Sequence, residues 1–477
     1  MNYETVIGLE VHAELSTASK IYCGCANEFG GEVNTHCCPI CTGMPGVLPV
    51  LNKTVVDYAI KAGLATNCEI TRLGKQDRKN YFYPDLPKAY QTSQFDLPIC
   101  KNGYLDIEVG GEKKRIGITR IHIEEDAGKL LHEASHGVTL VDYNRCGVPL
   151  IEIVSEPDMR SAEEAKTFLE TLKSILEYTA VSDCKMQEGS LRCDVNVSIR
   201  PVGQKEYGIR SEMKNVNSFS AAFRAIEYEV KRQIIELEAG NEIIQETRRW
   251  DDIKGVSSPL RSKDNAHDYR YFPEPDLVSI VIDDNWINEI KKTLPELPIA
   301  RRERYINDFG LSEYDAGQIT SSKALADFLE KCVNLGATAK AVSNWILSDI
   351  SRMLNDKGLE QSEIPFTAEQ LAKLISLIEN GTISNTAGKK VIEELFENPR
   401  DPEEIVKEKG LIQISDEGAL QKIVIDVINA NPQSVVDYKA GKDKAIGFLV
   451  GQTMRATKGQ GNPGLLNKLI KEELDKI

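Results

Sequence analysis

The chain has 477 residues, 41% hydrophobic and 27% charged. This is an ordinary globular balance that excludes disordered, collagen-like and disulfide-scaffold chains and, at ~150 residues per domain, points to about three domains. Asp and Glu outnumber Lys and Arg by 73 to 58, a formal net charge of −15, so the chain as a whole is repelled by phosphate backbones and any nucleic-acid contact has to be local.

Residues 1–294 are rich in the alternation of short strands and hold all six His. In the first segment, ETVIGLEVHAEL, a strand places Glu10, His12 and Glu14 on one face; a polar side that is merely solvated is the plain alternative. Cys23-Gly-Cys25 and Cys38-Pro-Ile-Cys41 follow with the spacing of two zinc knuckles. Four thiolates close a tetrahedral shell, so zinc there would be structural. Cys37 is a competing ligand, and four free thiols are the alternative. The remaining Cys, from Cys68 onward, read as buried thiols.

DRKNYFYPDLPKAYQTSQ (77–94) and HDYRYFPEPDL (267–277) mix aromatic, basic and Pro residues, the composition of loops that line a substrate. GITRIHIEEDAGK ends in Glu124, Glu125 and Asp126, and alternation leaves open which of the two glutamates faces a site. Glu152 lies among Leu150, Ile151, Ile153 and Val154. If buried, it has to be paired, protonated or bound to a cation.

Ser161-Ala-Glu-Glu spells a capping box at the head of a helix. SLRCDVNVSIR then alternates cleanly, with Leu191, Cys193, Val195, Val197 and Ile199 on one face and Ser190, Arg192, Asp194, Asn196 and Ser198 on the other. GIRSEMKN spaces Arg210, Glu212 and Lys214 by two, and a second helix runs from Ser218 to a stop at Gly240.

At Leu294-Pro295 the apolar period changes to that of helices. Residues 295–405 read as a helical domain and 406–477 as a small helical tail. Residues 439–471 carry seven Lys or Arg against the single acid Asp443, which makes Arg455 and Lys458 candidates for phosphate contacts, with a solvated charged face as the alternative. The literal GxGxxG at 459–464 lacks a preceding strand and reads as a loop. No segment approaches the ~18 apolar residues of a membrane span, no signal-type segment opens the sequence, and eleven scattered Cys suit a reducing compartment. The expected location is the cytoplasm.

Taken together, several strands present acids and bases on single polar faces. Carboxylates with a His suit Mg²⁺ or Mn²⁺, and Arg and Lys suit phosphate oxygens. Such a face has the parts of a phosphoryl-transfer site, where positioning and charge neutralisation do most of the catalysis. Each Gly-Lys pair (Gly74, Gly128, Gly388, Gly441) is followed by the wrong residue for a P-loop, which excludes that class.

VIGLEVHAEL, CPICTGMPGVLPVLN, NYFYPDLPKAYQTSQ, ITRIHIEEDAGK, DYNRCGVPLIEIVSEPD, RCDVNVSIR, SEMKNVNSF and HDYRYFPEPDL, in this order, closely resemble the B subunits of bacterial aspartyl/glutamyl-tRNA amidotransferases. The resemblance extends over the whole chain. It implies an α+β fold: an antiparallel-sheet catalytic domain similar to that of glutamine synthetase (1–294), a helical domain (295–405) and a tRNA-binding tail (406–477).

The implied activity is ATP- and Mg²⁺-dependent amidation of glutamate or aspartate on misacylated tRNA, in a heterotrimer with a glutaminase A subunit and a small C subunit. His12, Glu125 and Glu152 are implied as metal ligands, with Glu10 at a second, nucleotide-bound ion. Arg192, Asp194, Glu212 and Lys214 are implied at the phosphates or ions, and Lys79, Tyr81, Tyr83 and Lys88 near the ammonia exit. Zinc at Cys23, Cys25, Cys38 and Cys41 rests on their spacing alone. Two rival expectations are a stand-alone carboxylate–amine ligase of the glutamine synthetase type and a non-enzymatic tRNA-binding adaptor.

Overall fold

The computed structural model describes residues 2–133, 137–262, 269–414, 416–440, 442, 444–457 and 459–477. The chain forms two compact units, residues 1–298 and 299–477. The boundary expected near residue 405 falls inside the second.

The first unit is built on a nine-stranded sheet. Its strands are β1 (Tyr3–Glu14), β2 (Glu69–Ile70), β3 (Cys100–Val109), β4 (Glu112–Glu125), β5 (Pro149–Ser155), β6 (Leu191–Pro201), β7 (Ser211–Val216), β8 (Glu246–Asp251) and β9 (Val256–Ser262). They lie in the order β9-β8-β7-β6-β1-β5-β4-β3-β2. All neighbours are antiparallel except β7 and β8. The first strand of the sequence is therefore central, flanked by β5 and β6.

Period-two alternation divides this sheet into two chemistries. Leu9, Val11 and Ala13 of β1, Ile121 and Ile123 of β4, Ile151 and Ile153 of β5, and Val195 and Val197 of β6 are buried in one core with helices α1 (Lys53–Ala65), α2 (Ala162–Tyr178) and α3 (Phe219–Glu238). Phe168, Leu169 and Leu172 of α2 and Ala221, Ala225 and Ile226 of α3 supply the helical side. The opposite face of the same strands carries Glu10, His12, His122, Glu124, Glu152, Arg192 and Asp194, so the core fixes the direction in which these acids and bases point.

The helix caps follow local chemistry. Ser161 accepts a hydrogen bond from the Glu164 amide at the head of α2, but the Glu164 carboxylate turns to the Arg160 amide (2.6 Å) and Lys114 (2.7 Å). Only half of the expected capping box forms. α3 is capped by Ser218 and stops before Gly240, whose φ of +81° a side chain would resist.

The second unit is helical. A complete capping box, Thr367 with Gln370, opens the helix Ala368–Glu379. The helices Glu417–Ala430, Lys444–Ala456 and Pro463–Leu474 gather Leu420, Val424, Leu449, Leu466, Ile470 and Leu474 into a cluster of their own. Between the last two, the glycine-rich segment is a loop whose Asn462 caps the final helix. No helix among the described residues is long and apolar enough to cross a membrane.

Candidate active site

Strand register assembles the polar face. His12 lies directly opposite Glu152 on one side and Arg192 on the other. Glu152 in turn lies opposite His122. One row of the sheet therefore reads His122, Glu152, His12, Arg192. One step along β1, Glu10 faces Asp194, and Asn196 faces Glu212.

Two clusters of potential ligand atoms result. His12, Glu124 and Glu152 bring one atom each within 4.8 Å of one another, as do Glu10, Asp194 and Glu212. In the first, His12 Nε2 is 3.4 Å from Glu124 Oε1 and 3.5 Å from Glu152 Oε2. Burial works against a charged imidazole, but Glu152, Glu124 and Asp194 outweigh it and raise the His12 pKa to about 9. Burial likewise opposes ionisation of Glu152, and His122 and His12 overcome it, holding that carboxyl well below its usual range. An imidazole nitrogen with two carboxylates is a donor set that fits Mg²⁺ or Mn²⁺.

The geometry groups a different glutamate from the one expected. Glu124, not Glu125, joins His12 and Glu152. Consecutive residues of a strand face opposite ways, and Arg120, His122 and Glu124 share the polar side. Glu125 instead accepts hydrogen bonds from the Thr92 amide (2.9 Å), the Thr92 hydroxyl (2.8 Å) and the Lys88 ammonium. It lines a separate cavity of about 220 Å³ with Tyr22, Lys88, Tyr90 and Glu274.

Lys214, Asn196 and Arg192 each pair with an acid on the same face of the sheet. Lys214 donates to Asp194 (2.5 Å) and lies 3.3 Å from Glu212, which also accepts from the Thr247 hydroxyl (3.0 Å). Asn196 donates to Glu10 (2.9 Å). Arg192 pairs with Asp126 at 2.7 Å, so the third of the consecutive acids anchors a guanidinium. Glu14, on the same face, is pushed up to about 8 by burial and by Asp126. Beside Glu10, a cavity of about 170 Å³ is lined by Val154, Pro157, Asn196, Tyr207 and Arg210.

The aromatic loops split. The Lys79 ammonium lies 5.0 Å from the Tyr269 ring centre; burial opposes its charge, but the field of Glu124 and Glu152 raises its pKa. Tyr81 packs edge-on against Tyr269, and burial and the nearby Glu124 raise its hydroxyl, against the pull of Lys79. These two lie within the field of the cluster carboxylates, whereas Lys88 contacts Glu125, and Tyr83 is exposed. Both loops are stitched together by Phe272 pairing with Arg78 and by Arg78 gripping Glu274 at 2.7 and 2.8 Å. Their meeting is a long-range fact that neither segment states alone.

The four knuckle thiols, Cys23, Cys25, Cys38 and Cys41, converge within 4.8 Å of one another. Cys37 stays outside, its thiol 3.3 Å from the Asn34 carbonyl. Beneath them is a fully buried lysine that sequence reasoning missed. Lys20 Nζ donates to the carbonyls of His36 (2.6 Å) and Cys146 (2.7 Å) and lies 3.9 Å from Cys41 Sγ. Hydrogen bonds from Cys23 and the Cys38 amide, together with the Lys20 charge, pull the Cys41 thiol below its ordinary value.

Comparison with known proteins shows the family. Residues 5–288 match the GatB/GatE catalytic domain family and residues 327–474 the GatB domain family. The chain is 66% identical to the B subunit of the aspartyl/glutamyl-tRNA(Asn/Gln) amidotransferase of Caldicellulosiruptor bescii, over the full length of both. The chain belongs to the family of amidotransferase B subunits. Proteins of the same name from Thermoanaerobacter sp. strain X514 and Clostridium tetani are 63% and 56% identical, again over all of each chain.

Arg455 is exposed on the last turn of its helix. Lys458 lies outside the described residues. His122 was the site residue that sequence reasoning missed, although Arg120, His122 and Glu124 interleave with Ile121 and Ile123 in the same spacing that marked Arg192 and Asp194.

Proposed function

We propose that this chain is the ATP-dependent amidating subunit of a tRNA-dependent amidotransferase, acting on glutamate or aspartate carried by misacylated tRNA. The observation that carries the reading is the pair of acidic clusters on one open sheet face, His12 with Glu124 and Glu152 and Glu10 with Asp194 and Glu212, bordered by Lys79, Arg192 and Lys214. A carboxylate is a poor acyl donor because its leaving group is oxide. In the reaction proposed, an oxygen of the substrate carboxylate attacks the γ-phosphorus of ATP, and ADP leaves. Ammonia then attacks the acyl carbon, the C–O bond to the phosphoryl group breaks, and inorganic phosphate departs with the amide formed.

Divalent cations held by the two clusters would neutralise the phosphate oxygens brought beside the substrate carboxylate. The protein's own groups do the rest. Lys79 directs a positive charge at the Glu124 and Glu152 side, and Arg192 and Lys214, already fixed by Asp126 and Asp194, border the phosphates. The cavity beside Glu10 supports a nucleotide there. The cavity at Lys88 and Glu125 supports a path for ammonia, supplied by a glutaminase A subunit assembled with a small C subunit. The sheet with one polar face agrees with a likeness to glutamine synthetase. The basic residues of the tail, with Arg455 exposed, support tRNA contact by residues 406–477, and the convergent knuckle thiols support a structural zinc.

The test is ADP release by the complete complex with and without glutamate-charged glutamine tRNA, comparing wild type with Glu152→Ala. ADP that requires the charged tRNA and is lost in the variant is the expected outcome. ADP formed with free glutamate would favour a stand-alone ligase instead, and retained tRNA binding with no ADP under any condition would favour an adaptor.

A further inference from the structure

His122 lies at the end of the row that joins His12 to Glu152, and no part of the proposed chemistry uses it. Its side chain is 9% exposed. Nε2 is 3.1 Å from Glu152 Oε2 and 3.5 Å from Glu124 Oε2. Nδ1 is buried and has no hydrogen-bond partner.

We infer that His122 is a positioning residue: it holds the Glu124 and Glu152 carboxylates from behind, in the orientation in which they and His12 take a divalent cation. The inference rests on the metal reading of that cluster. Three geometric facts carry it.

The first is register. His122 and His12 stand on either side of Glu152 in directly opposed positions, so the carboxylate is bracketed by two imidazoles carried on its two neighbouring strands. The second is division of labour between the rings. His12 shares a cluster with both carboxylates in which every atom is within 4.8 Å of the others, and His122 is not part of that cluster. Its single ring nitrogen approaches the Oε2 atom of each glutamate, while Glu124 turns its other oxygen, Oε1, towards His12. One imidazole therefore faces the ion position and the other supports the carboxylates.

The third is the orphaned Nδ1. With Nδ1 unpartnered, the polar contacts of the ring lie at Nε2, 3.1 Å from Glu152 Oε2 and 3.5 Å from Glu124 Oε2. The neutral Nε2–H form and the imidazolium both present an N–H there, and two adjacent carboxylates favour either over a bare lone pair. A donor aimed at a ligating carboxylate orients it, and losing such a partner typically weakens metal binding by about 10–100-fold.

The experiment is a Mn²⁺ titration of the complete complex followed by the electron paramagnetic resonance signal of free Mn²⁺, with the Glu152→Ala variant defining which binding class belongs to this cluster. His122→Ala is expected to weaken that class by about 10–100-fold. His122→Gln, whose amide nitrogen can occupy the place of Nε2, is expected to recover most of the affinity. Thermal melting of each variant reports whether it folds, and the near-isosteric Gln variant keeps the comparison usable if the Ala variant does not.

Unchanged Mn²⁺ binding in a folded His122→Ala or His122→Gln protein, with Gln no better than Ala, would overturn the inference. So would complete loss in both variants, which would make His122 a ligand. A wild-type complex with no Mn²⁺ class sensitive to Glu152→Ala would instead overturn the metal reading itself.

Discussion

Glu124 and Glu125 are consecutive residues whose carboxylates serve opposite sides of one strand. Glu124 stands 3.4 Å from His12 in the ligand cluster, while Glu125 is held by Thr92 and Lys88 at the edge of a cavity that does not include His12.

The two positions therefore separate on substitution. Glu124→Gln removes a charged ligand and is expected to abolish the Mn²⁺ class that Glu152→Ala also abolishes, with ADP formation falling by at least the ~10–100-fold that loss of a mere supporting partner costs. Glu125→Gln keeps three hydrogen-bond donors around a neutral amide and is expected to bind Mn²⁺ within about threefold of wild type, an interval of ~0.7 kcal/mol. Paired titrations of the two variants decide the matter, and equal losses in both would return Glu125 to the metal.

The knuckle makes a second prediction. Four thiols within 4.8 Å of one another, with the buried Lys20 offsetting their negative charge, suit one zinc per chain. Elemental analysis of the purified protein should find it, and Cys38→Ser should lose it together with several degrees of melting temperature, because a structural zinc contributes folding free energy. A metal-free protein that melts like its Cys38→Ser variant would mean that the thiols are simply packed.

What the sequence made legible divides along physical lines. Alternation sorted β1 and β6 correctly by face, because a strand with one buried side has to alternate, and so Glu10, His12, Arg192 and Asp194 were already on one surface. Register was not legible. That His12 meets Glu152 and Glu10 meets Asp194 depends on pairing between strands more than 130 residues apart. Where three acids run together at residues 124–126, the phase is carried by the two residues just before them, since Ile121 and Ile123 pack into the core and leave His122 and Glu124 on the other face. Lys20 left no signal at all, since nothing between Ser19 and Ile21 marks a lysine destined for burial beneath thiols.

The tail prediction concerns charge without fold. Arg455 is exposed on its helix, so Arg455→Glu should leave melting unchanged. If the side chain meets a tRNA phosphate, the variant should raise the Michaelis constant for charged tRNA and reduce the salt dependence of binding by about one counterion in the log–log slope. An unaltered constant and slope would remove Arg455 from the tRNA surface.

The last prediction tests stability in the helical unit as a function of pH. Arg301, nearly buried, donates to Glu330 (2.9 Å) and to Asp327 (2.7 Å), and Glu330 also accepts from Arg304 and from the Tyr305 hydroxyl (3.0 Å). Burial opposes the Glu330 charge, but the two guanidinium groups outweigh it and lower the carboxyl pKa below its usual value. A carboxyl whose folded pKa is lowered contributes stability that is fully present above the unfolded value, near 4.5, and is lost as pH falls through the folded one. At pH 7, Glu330→Gln should therefore lower the free energy of local opening by ~1–3 kcal/mol, the range for a hydrogen bond to a charged group and for the unmet partner it leaves behind. Hydrogen-exchange protection of peptides spanning residues 299–334 reads this directly in the full chain. The difference between wild type and variant should be constant from pH 7 down to about 5 and shrink progressively below 4.5, as the wild-type carboxyl takes up its proton and loses the charge that the variant never had. A difference that stays constant into the acid range would mean that Glu330 contributes through packing and neutral hydrogen bonds rather than through its ion pairs.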